Sequence, residues 1–431
     1  MLIAMGCTNN QQPLPFCWSG CSQLRSYDSG LGSGLQVMDS RTKSVEEPKK
    51  RNQTLMCLMI FLISMGEGLT APAIPLLGKS WGAGYLELGL LMTGYGLAYI
   101  VMTLIAGHRS DHFGRKIMLL ISLSLSLAAS IGYFLAGSMF ILAVSRITEG
   151  ASRGMLWPVA EAAIADNSDP GNAGRAMGTF TAAYGIGVTC GTLAGGTNIF
   201  KAGFTVFTCY PVLGLTALLL IAVGFTNKQV KNHEGSYQLE KTIRRRTLKL
   251  LWPIGIIGFA YGGFLYSIWG LFSALANEFG VQADGIGILF GLFWGLRTIA
   301  FLVCRVLLDN RGSKLTLLSG LLFCTGGAGI LLLAKTFPLL LLAVFLSGAG
   351  TGLLFPTVLV LVNERTSEEN RGFGMGFLEL LIGLGMVGQT AVAGFLGQSV
   401  GPGWIYSLIF LFNGIALAVG LRMNFKPLLP G

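Results

Sequence analysis

Glu67 lies midway along an apolar run, in Met65-Gly66-Glu67-Gly68-Leu69-Thr70, with no basic residue one turn away on its own segment. Ionisable side chains at the centre of a lipid-spanning helix cost on the order of 2.5–3.5 kcal/mol by insertion scales, so they face cavities or partners. Two kinds of chemistry fit. Glu67 exchanges a proton for a cationic or polar substrate, or it makes a purely structural pair with Arg153 or Arg297 on another segment. Arg146, Glu149 and Arg153 fall at i, i+3 and i+7, one face of a helix. They form either an internal ion-pair patch or part of the coupling machinery. Arg297 and Glu379 are the corresponding charges of the second half of the chain, and a mutual bridge is one expectation for them. Glu161 lies nearer the end of its segment, where its carboxylate reaches water easily. Trp157, Tyr261 and Trp294, with Tyr266 and Phe355, are candidates to line a cavity, against the commoner fate of packing or facing lipid.

No catalytic set accompanies these charges, so an enzyme is not expected. The three histidines are His108, His112 and His233, and no phosphate-binding Gly-Lys-Ser/Thr loop is present, which argues against direct use of ATP. The eight cysteines are scattered; Cys17 and Cys21 lack a second pair or a nearby histidine, so no metal site is expected. The remaining source of energy is the electrochemical gradient, with the proton as coupling ion and no bound cofactor.

The elements that hold these residues are membrane helices. Only 12% of the 431 residues are charged while 52% are apolar, and 62 are glycine; soluble domains average about 25% charged residues. The net charge of +10 reflects loops facing one side of a membrane rather than a nucleic-acid partner. Apolar runs of about 20 residues, the length a ~30 Å hydrocarbon core requires, occur near 54–77, 85–107, 117–136, 139–165, 174–197, 203–225, 250–275, 284–306, 315–334, 337–363, 372–396 and 403–423. They divide into two sets of six at the basic stretch 226–249. With the N-terminus inside, 24 basic residues fall on the cytoplasmic side and 3 on the other, which sets the orientation. Residues 1–53 are polar and aperiodic and are expected to be an unstructured cytoplasmic tail; Met38, ahead of Lys49-Lys50-Arg51, is a candidate translation start.

Two polar turns mark an internal repeat. Gly107-His108-Arg109-Ser110-Asp111-His112-Phe113-Gly114-Arg115-Lys116 returns as Asp309-Asn310-Arg311-Gly312-Ser313-Lys314, with Asp111 and Asp309, Gly114 and Gly312, and Lys116 and Lys314 each 198 residues apart. The same offset relates Gly150-Ala151 to Gly348-Ala349, Gly154 to Gly352, Pro158 to Pro356, Met177-Gly178 to Met375-Gly376, and Gly185 and Gly187 to Gly383 and Gly385. Random apolar sequence would not match prolines, charges and glycines in one register. Two equivalent bundles with a site between them are expected.

The turn 107–116 resembles the loop 2–3 signature of the major facilitator superfamily, with His112 at a position usually Arg or Lys. Leu142-Ala143-Val144-Ser145-Arg146, then Gly150 and Gly154, resembles the fourth-helix signature, with Glu149 where Gln is common. Gly178, Gly187, Gly191, Gly195 and Gly196 match the fifth-helix spacing of the family's drug/proton antiporters, with Thr192 where that signature has proline, and all five are expected to pack against neighbouring helices. The resemblance covers about residues 54–425. It implies an all-α integral membrane fold of twelve transmembrane helices in two pseudo-symmetric six-helix bundles. It also implies that Gly107, Asp111, Gly114, Arg115 and Lys116, with Asp166 and with Asp309, Gly312 and Lys314, lock alternate states. Arg146 would tune proton uptake by a neighbouring acid. Independently of that resemblance, Gly187, Gly191 and Gly195 repeat every four residues and form a flat strip that admits a neighbouring helix.

The expected organisation is a tail (1–53), a first bundle (54–225), a linker (226–249), a second bundle (250–425) and a short C-terminal tail (426–431). The expected function is proton-coupled efflux of a small organic molecule across the cytoplasmic membrane, by a monomer in the lipid bilayer with both termini inside. Thr192 keeps open a proton-symport importer of a sugar, nucleoside or other metabolite. A non-transporting sensor of the same fold is the third reading.

Overall fold

The computed structural model describes residues 28–168, 173–196, 206–226, 241–366, 371–423 and 425, with the backbone alone at 28–48, 107, 108, 110–112, 173, 241–247, 371 and 372. Among them the secondary structure is helical. In order come α1 (Asp28–Thr70), α2 (Ala73–Ser80), α3 (Tyr85–Phe113), α4 (Arg115–Phe134), α5 (Met139–Asp166), α6 (Ala173–Gly196), α7 (Val206–Gly224), α8 (Lys241–Glu278), α9 (Ala283–Leu333), α10 (Phe337–Arg365), α11 (Arg371–Ser399) and α12 (Ser407–Arg422).

Nine stretches among the described residues are long and apolar enough to cross a membrane. Three features bring them to twelve spans. The 51-residue α9 is broken at Gly312, whose φ of 76° is not helical; an unbroken helix of that length would reach roughly 77 Å, more than twice a bilayer core. α5 carries Arg146, Glu149, Arg153 and Glu161, which lower its hydropathy although its 28 residues suffice to span. α6, with 24 residues, is rich in glycine and threonine. α1 and α2 form one span interrupted at Ala71-Pro72, because a proline disfavours helix at the residue before it. Glu67 therefore sits in the last turn of α1, just ahead of the break.

The chain divides between Lys49 and Lys50 into two units. In the first, residues 28–49 are helical, where the sequence leads one to expect an unstructured tail through residue 53. Residues 1–27 lie outside the described residues, as does most of the linker.

The second unit repeats itself at the 198-residue register. A Cβ built on Gly150 would lie 2.2 Å from the Tyr95 carbonyl oxygen, and one on Gly348 would lie 2.4 Å from that of Phe293. Gly154 meets the Tyr99 carbonyl as Gly352 meets that of Arg297, and Gly187 meets Phe61 as Gly385 meets Phe259. Every member of these pairs is offset by 198. Gly114 and Gly312, with φ of 84° and 76°, make the same turn twice. Left-handed geometry at these two turns is accessible to glycine at little cost. The turn is tighter than the sequence suggests, since α3 stays helical through Phe113 and bends only at Gly114.

Candidate functional site

Four helices of each half surround a cavity with about 790 Å³ of space not filled by protein, part of it open to solvent. From the first half come Glu67 on α1, Tyr95 and Tyr99 on α3, Arg153 and Trp157 on α5, and Thr181 and Tyr184 on α6. From the second come Tyr261, Leu265, Tyr266 and Trp269 on α8, Trp294, Arg297 and Phe301 on α9, Phe355 on α10, and Glu379 and Ile382 on α11. The lining is mainly aromatic with four charges, the composition of a small-molecule site.

Arg153 Nη2 donates to Glu67 Oε2 at 2.6 Å, and both residues are buried. This is one of the two pairings open to Glu67, made across 86 residues of sequence. It is incomplete, because Glu67 Oε1 and Arg153 Nη1 are buried with no partner among the described residues. The Arg153 guanidinium lies 5.2 Å from the Tyr184 ring centre and 5.8 Å from that of Trp157. Both members of the pair border the cavity.

Arg146 and Glu149 behave differently. Arg146 Nη1 donates to Glu149 Oε2 at 2.6 Å, Tyr133 donates to the same oxygen at 2.6 Å, and Tyr210 donates to Oε1 at 3.3 Å. Neither Arg146 nor Glu149 is among the cavity-lining residues. The face expected to act as one unit is divided: Arg153 turns to Glu67 and the cavity, while Arg146 and Glu149 close on each other inside the first half.

The expected Arg297–Glu379 bridge is not formed. Arg297 Nη2 donates to the Tyr261 hydroxyl at 2.6 Å, and the guanidinium lies 4.8 Å and 4.9 Å from the ring centres of Trp294 and Phe301. Glu379 instead accepts from the Tyr99 hydroxyl at 3.5 Å, across the halves. Each charge is thus held by a tyrosine rather than by the other. Trp157, Tyr261 and Trp294 line the cavity as expected, and so do Tyr266 and Phe355. Sequence reasoning missed Tyr95, Tyr99, Tyr184 and Trp269. Tyr99 could have been found, since it is the 198-residue counterpart of Arg297.

At the turns, Arg115 Nε donates to Asp166 Oδ2 at 3.0 Å, so the acid expected to join the turn from the end of α5 does so through Arg115. The counterpart, at the same offset, is Ser313 donating to Glu364 at 3.4 Å. Asp309 lies 4.0 Å from exposed Arg305, and Lys314 is exposed. The side chain of Asp111 and the surroundings of Gly107 fall outside the described residues. Of the α6 glycines, Gly187, Gly191 and Gly195 lie against the backbone of α1, and Gly196 lies against Gly287 of α9. Gly178 corrects the expectation of packing: nothing lies within 4 Å of a Cβ placed there.

At the opposite ends of the helices lies a cluster the sequence reading did not anticipate. Lys79 Nζ is 3.5 Å from Glu278 and 4.0 Å from the Tyr85 ring centre. The Tyr85 hydroxyl donates to Glu278, and its backbone N–H donates to Gln398 at 2.9 Å. Lys79 and Tyr85 belong to the first half, Glu278 and Gln398 to the second. The halves are therefore latched at the Lys79 side, above the cavity.

The family pattern described as Major Facilitator Superfamily matches residues 56–272 and again 254–428. The chain belongs to the major facilitator superfamily. Its all-α architecture, with twelve spans in two pseudo-symmetric bundles, is the superfamily fold, and the protein is a membrane transporter rather than an enzyme. It is 24% identical over 407 residues to the class B tetracycline resistance protein of Escherichia coli, covering 87% of this chain and 97% of that one. It is 24% identical over 386 residues to multidrug resistance protein 1 of Bacillus subtilis strain 168, with coverage of 87% and 97%. In fold it is similar to the crystal structure of a bacterial homologue of the human lysosomal transporter Spinster, in an inward-facing and unoccupied conformation, with a TM-score of 0.68 at 13% identity, covering 86% of this chain and 96% of that one. The charges and rings of the cavity meet where the two bundles meet.

Proposed function

We propose that this transporter exports a small organic molecule across the cytoplasmic membrane in exchange for protons, by alternating access of the central cavity. The observation that carries this reading is the Glu67–Arg153 pair at 2.6 Å in the cavity wall. Protonation of Glu67 removes its charge and loosens Arg153, so the occupancy of the cavity and the charge on Glu67 are linked. Deprotonation toward the cytoplasm restores the pair. The relatives named for tetracycline and multidrug resistance support the outward direction. The distribution of basic residues supports cytoplasmic termini, with 54–225 and 250–425 as the moving halves and 226–249 as the cytoplasmic linker. The transporter works as a monomer, with the proton gradient as its energy source and no resident cofactor.

Everted membrane vesicles test this with a panel of fluorescent aromatic acids, bases and neutral compounds, tetracycline among them. Uptake of at least one compound should collapse with a protonophore, and Glu67→Gln should abolish the protonophore-sensitive part. Uptake indifferent to both treatments would remove the coupling; accumulation in whole cells would reverse the direction to import.

A further inference from the structure

Among the described residues three arginines lie buried within the spans, and two are matched to an acid. Arg146 has Glu149 at 2.6 Å and Arg153 has Glu67 at 2.6 Å. Arg297, only 6% exposed, has no carboxylate within ion-pair distance among the described residues. Its bond to the neutral Tyr261 and the faces of Trp294 and Phe301 soften its position without neutralising it. Buried guanidinium without a counter-charge is costly, which makes the site one that an anion would complete.

The internal repeat explains why the acid is missing. Arg297 occupies the place of Tyr99 and Glu379 the place of Thr181, each offset by 198. In one crossing between the halves, Tyr99 meets Glu379 at 3.5 Å. In the equivalent crossing the register sets Arg297 opposite Thr181, which carries no charge. Both Arg297 and Thr181 line the cavity.

The unused hydrogen-bonding groups point the same way. Among the described residues, Arg297 Nε, Trp294 Nε1 and Arg153 Nη1 are buried donors with no acceptor, while along the cavity wall only Glu67 Oε1 is a buried acceptor with no donor. An occupant rich in acceptor oxygens fits this surplus. A carboxylate matches the planar fork of a guanidinium and accepts two parallel N–H bonds. The walls around it suit a flat ring: Trp269 and Tyr184 meet Trp294 edge-on at 4.9 Å and 6.0 Å between centroids.

We propose that the substrate is a small aromatic monocarboxylate, whose acid group is held by Arg297 beside Trp294 and whose ring system lies among the cavity aromatics. This rests on the reading of the cavity as a transport site and adds its charge selectivity. Glu379, in the same cavity, repels a second negative charge, so dianions are excluded.

The test is thermal stabilisation of the purified full-length transporter by three matched probes: naphthalene-2-carboxylate, its carboxamide and 2-naphthylmethylammonium. The same probes are followed in everted vesicles by competition with the compound transported. The carboxylate should act at a concentration at least tenfold lower than the other two. Arg297→Met should erase that preference and Arg297→Lys should retain part of it. Tyr261→Phe, which keeps the charge but frees Nη2, should preserve the order of the probes and serves as the control should Arg297→Met fail to fold. Equal potency of the three probes, or preference for the ammonium, overturns the anion assignment while leaving transport intact. Absence of both stabilisation and transport for every compound, with the protein folded, overturns the transport reading and this proposal together.

Discussion

Glu149 and Glu67 show how neighbouring acids on paired arginines come to differ. Glu149 accepts from Arg146, Tyr133 and Tyr210 away from the cavity. Removing one member of a buried ion pair costs about 3–5 kcal/mol, because the other charge is left without compensation. Glu149→Gln should therefore lower the thermal stability of the purified protein strongly and leave protonophore sensitivity intact in whatever protein remains. Glu67→Gln should do the reverse, with a smaller loss of stability because Arg153 borders open space. Thermal melts paired with vesicle assays check both, and a Glu149→Gln protein that is stable but uncoupled would exchange the two roles. The Arg146–Glu149 pair was legible in the sequence from its spacing of three. The Arg153–Glu67 pair was one of several open pairings, since it depends on α1 lying beside α5, which no local pattern encodes. The tyrosines that hold Arg297 and Glu379 were illegible for a related reason: a phenol in an apolar run looks the same whether it faces lipid, core or cavity.

The glycines of α6 set how closely α1 and α6 approach. Gly191 faces the backbone of α1, and a Cβ there would lie 2.2 Å from the Met65 carbonyl oxygen. Backbone cannot move aside as a side chain can, so Gly191→Ala should force α1 and α6 apart and cost about 1–3 kcal/mol, the usual range for overpacking. Gly178 has open space at the same atom, so Gly178→Ala should be neutral or stabilising by roughly 0.5–1 kcal/mol through helix propensity. The melting temperature should fall for Gly191→Ala and hold or rise for Gly178→Ala; a matching loss in both would mean that Gly178 packs in another state of the cycle. The four-residue strip was readable because close helix approach demands small residues at that period. Its partner was not, because the period names a face and not the neighbour. Gly178, which satisfies the family spacing without packing, shows that a motif position and a contact are separate things.

For the molecule as a whole, the sequence carried the fold well: twelve apolar runs and one register predicted a repeated bundle, and Asp166 was expected to join the turn that holds Arg115, whereas the counterpart contact Ser313–Glu364 was not anticipated. What it did not carry is the state of the halves, because their mutual contacts join residues such as Lys79 and Glu278, 199 apart and outside the repeat. Lys79, Tyr85, Glu278 and Gln398 close the Lys79 side with charge-assisted and neutral hydrogen bonds. Exposed ion pairs are worth only about 0–1 kcal/mol each. A latch of that size does not set the fold, but it suffices to bias two states of a transporter that differ by a few kcal/mol. Glu278→Gln removes the charge that both Lys79 and the Tyr85 hydroxyl use. Spin labels at Ser80 and Asn277, both exposed beside the latch, report the separation of the halves by electron–electron resonance. The variant should populate a longer distance that is sparse in the parent, and transport should change in rate rather than in its dependence on protons. An unchanged distance distribution would mean that the glycine contacts between α6 and α9, Gly196 against Gly287, hold this side shut without help from the charges.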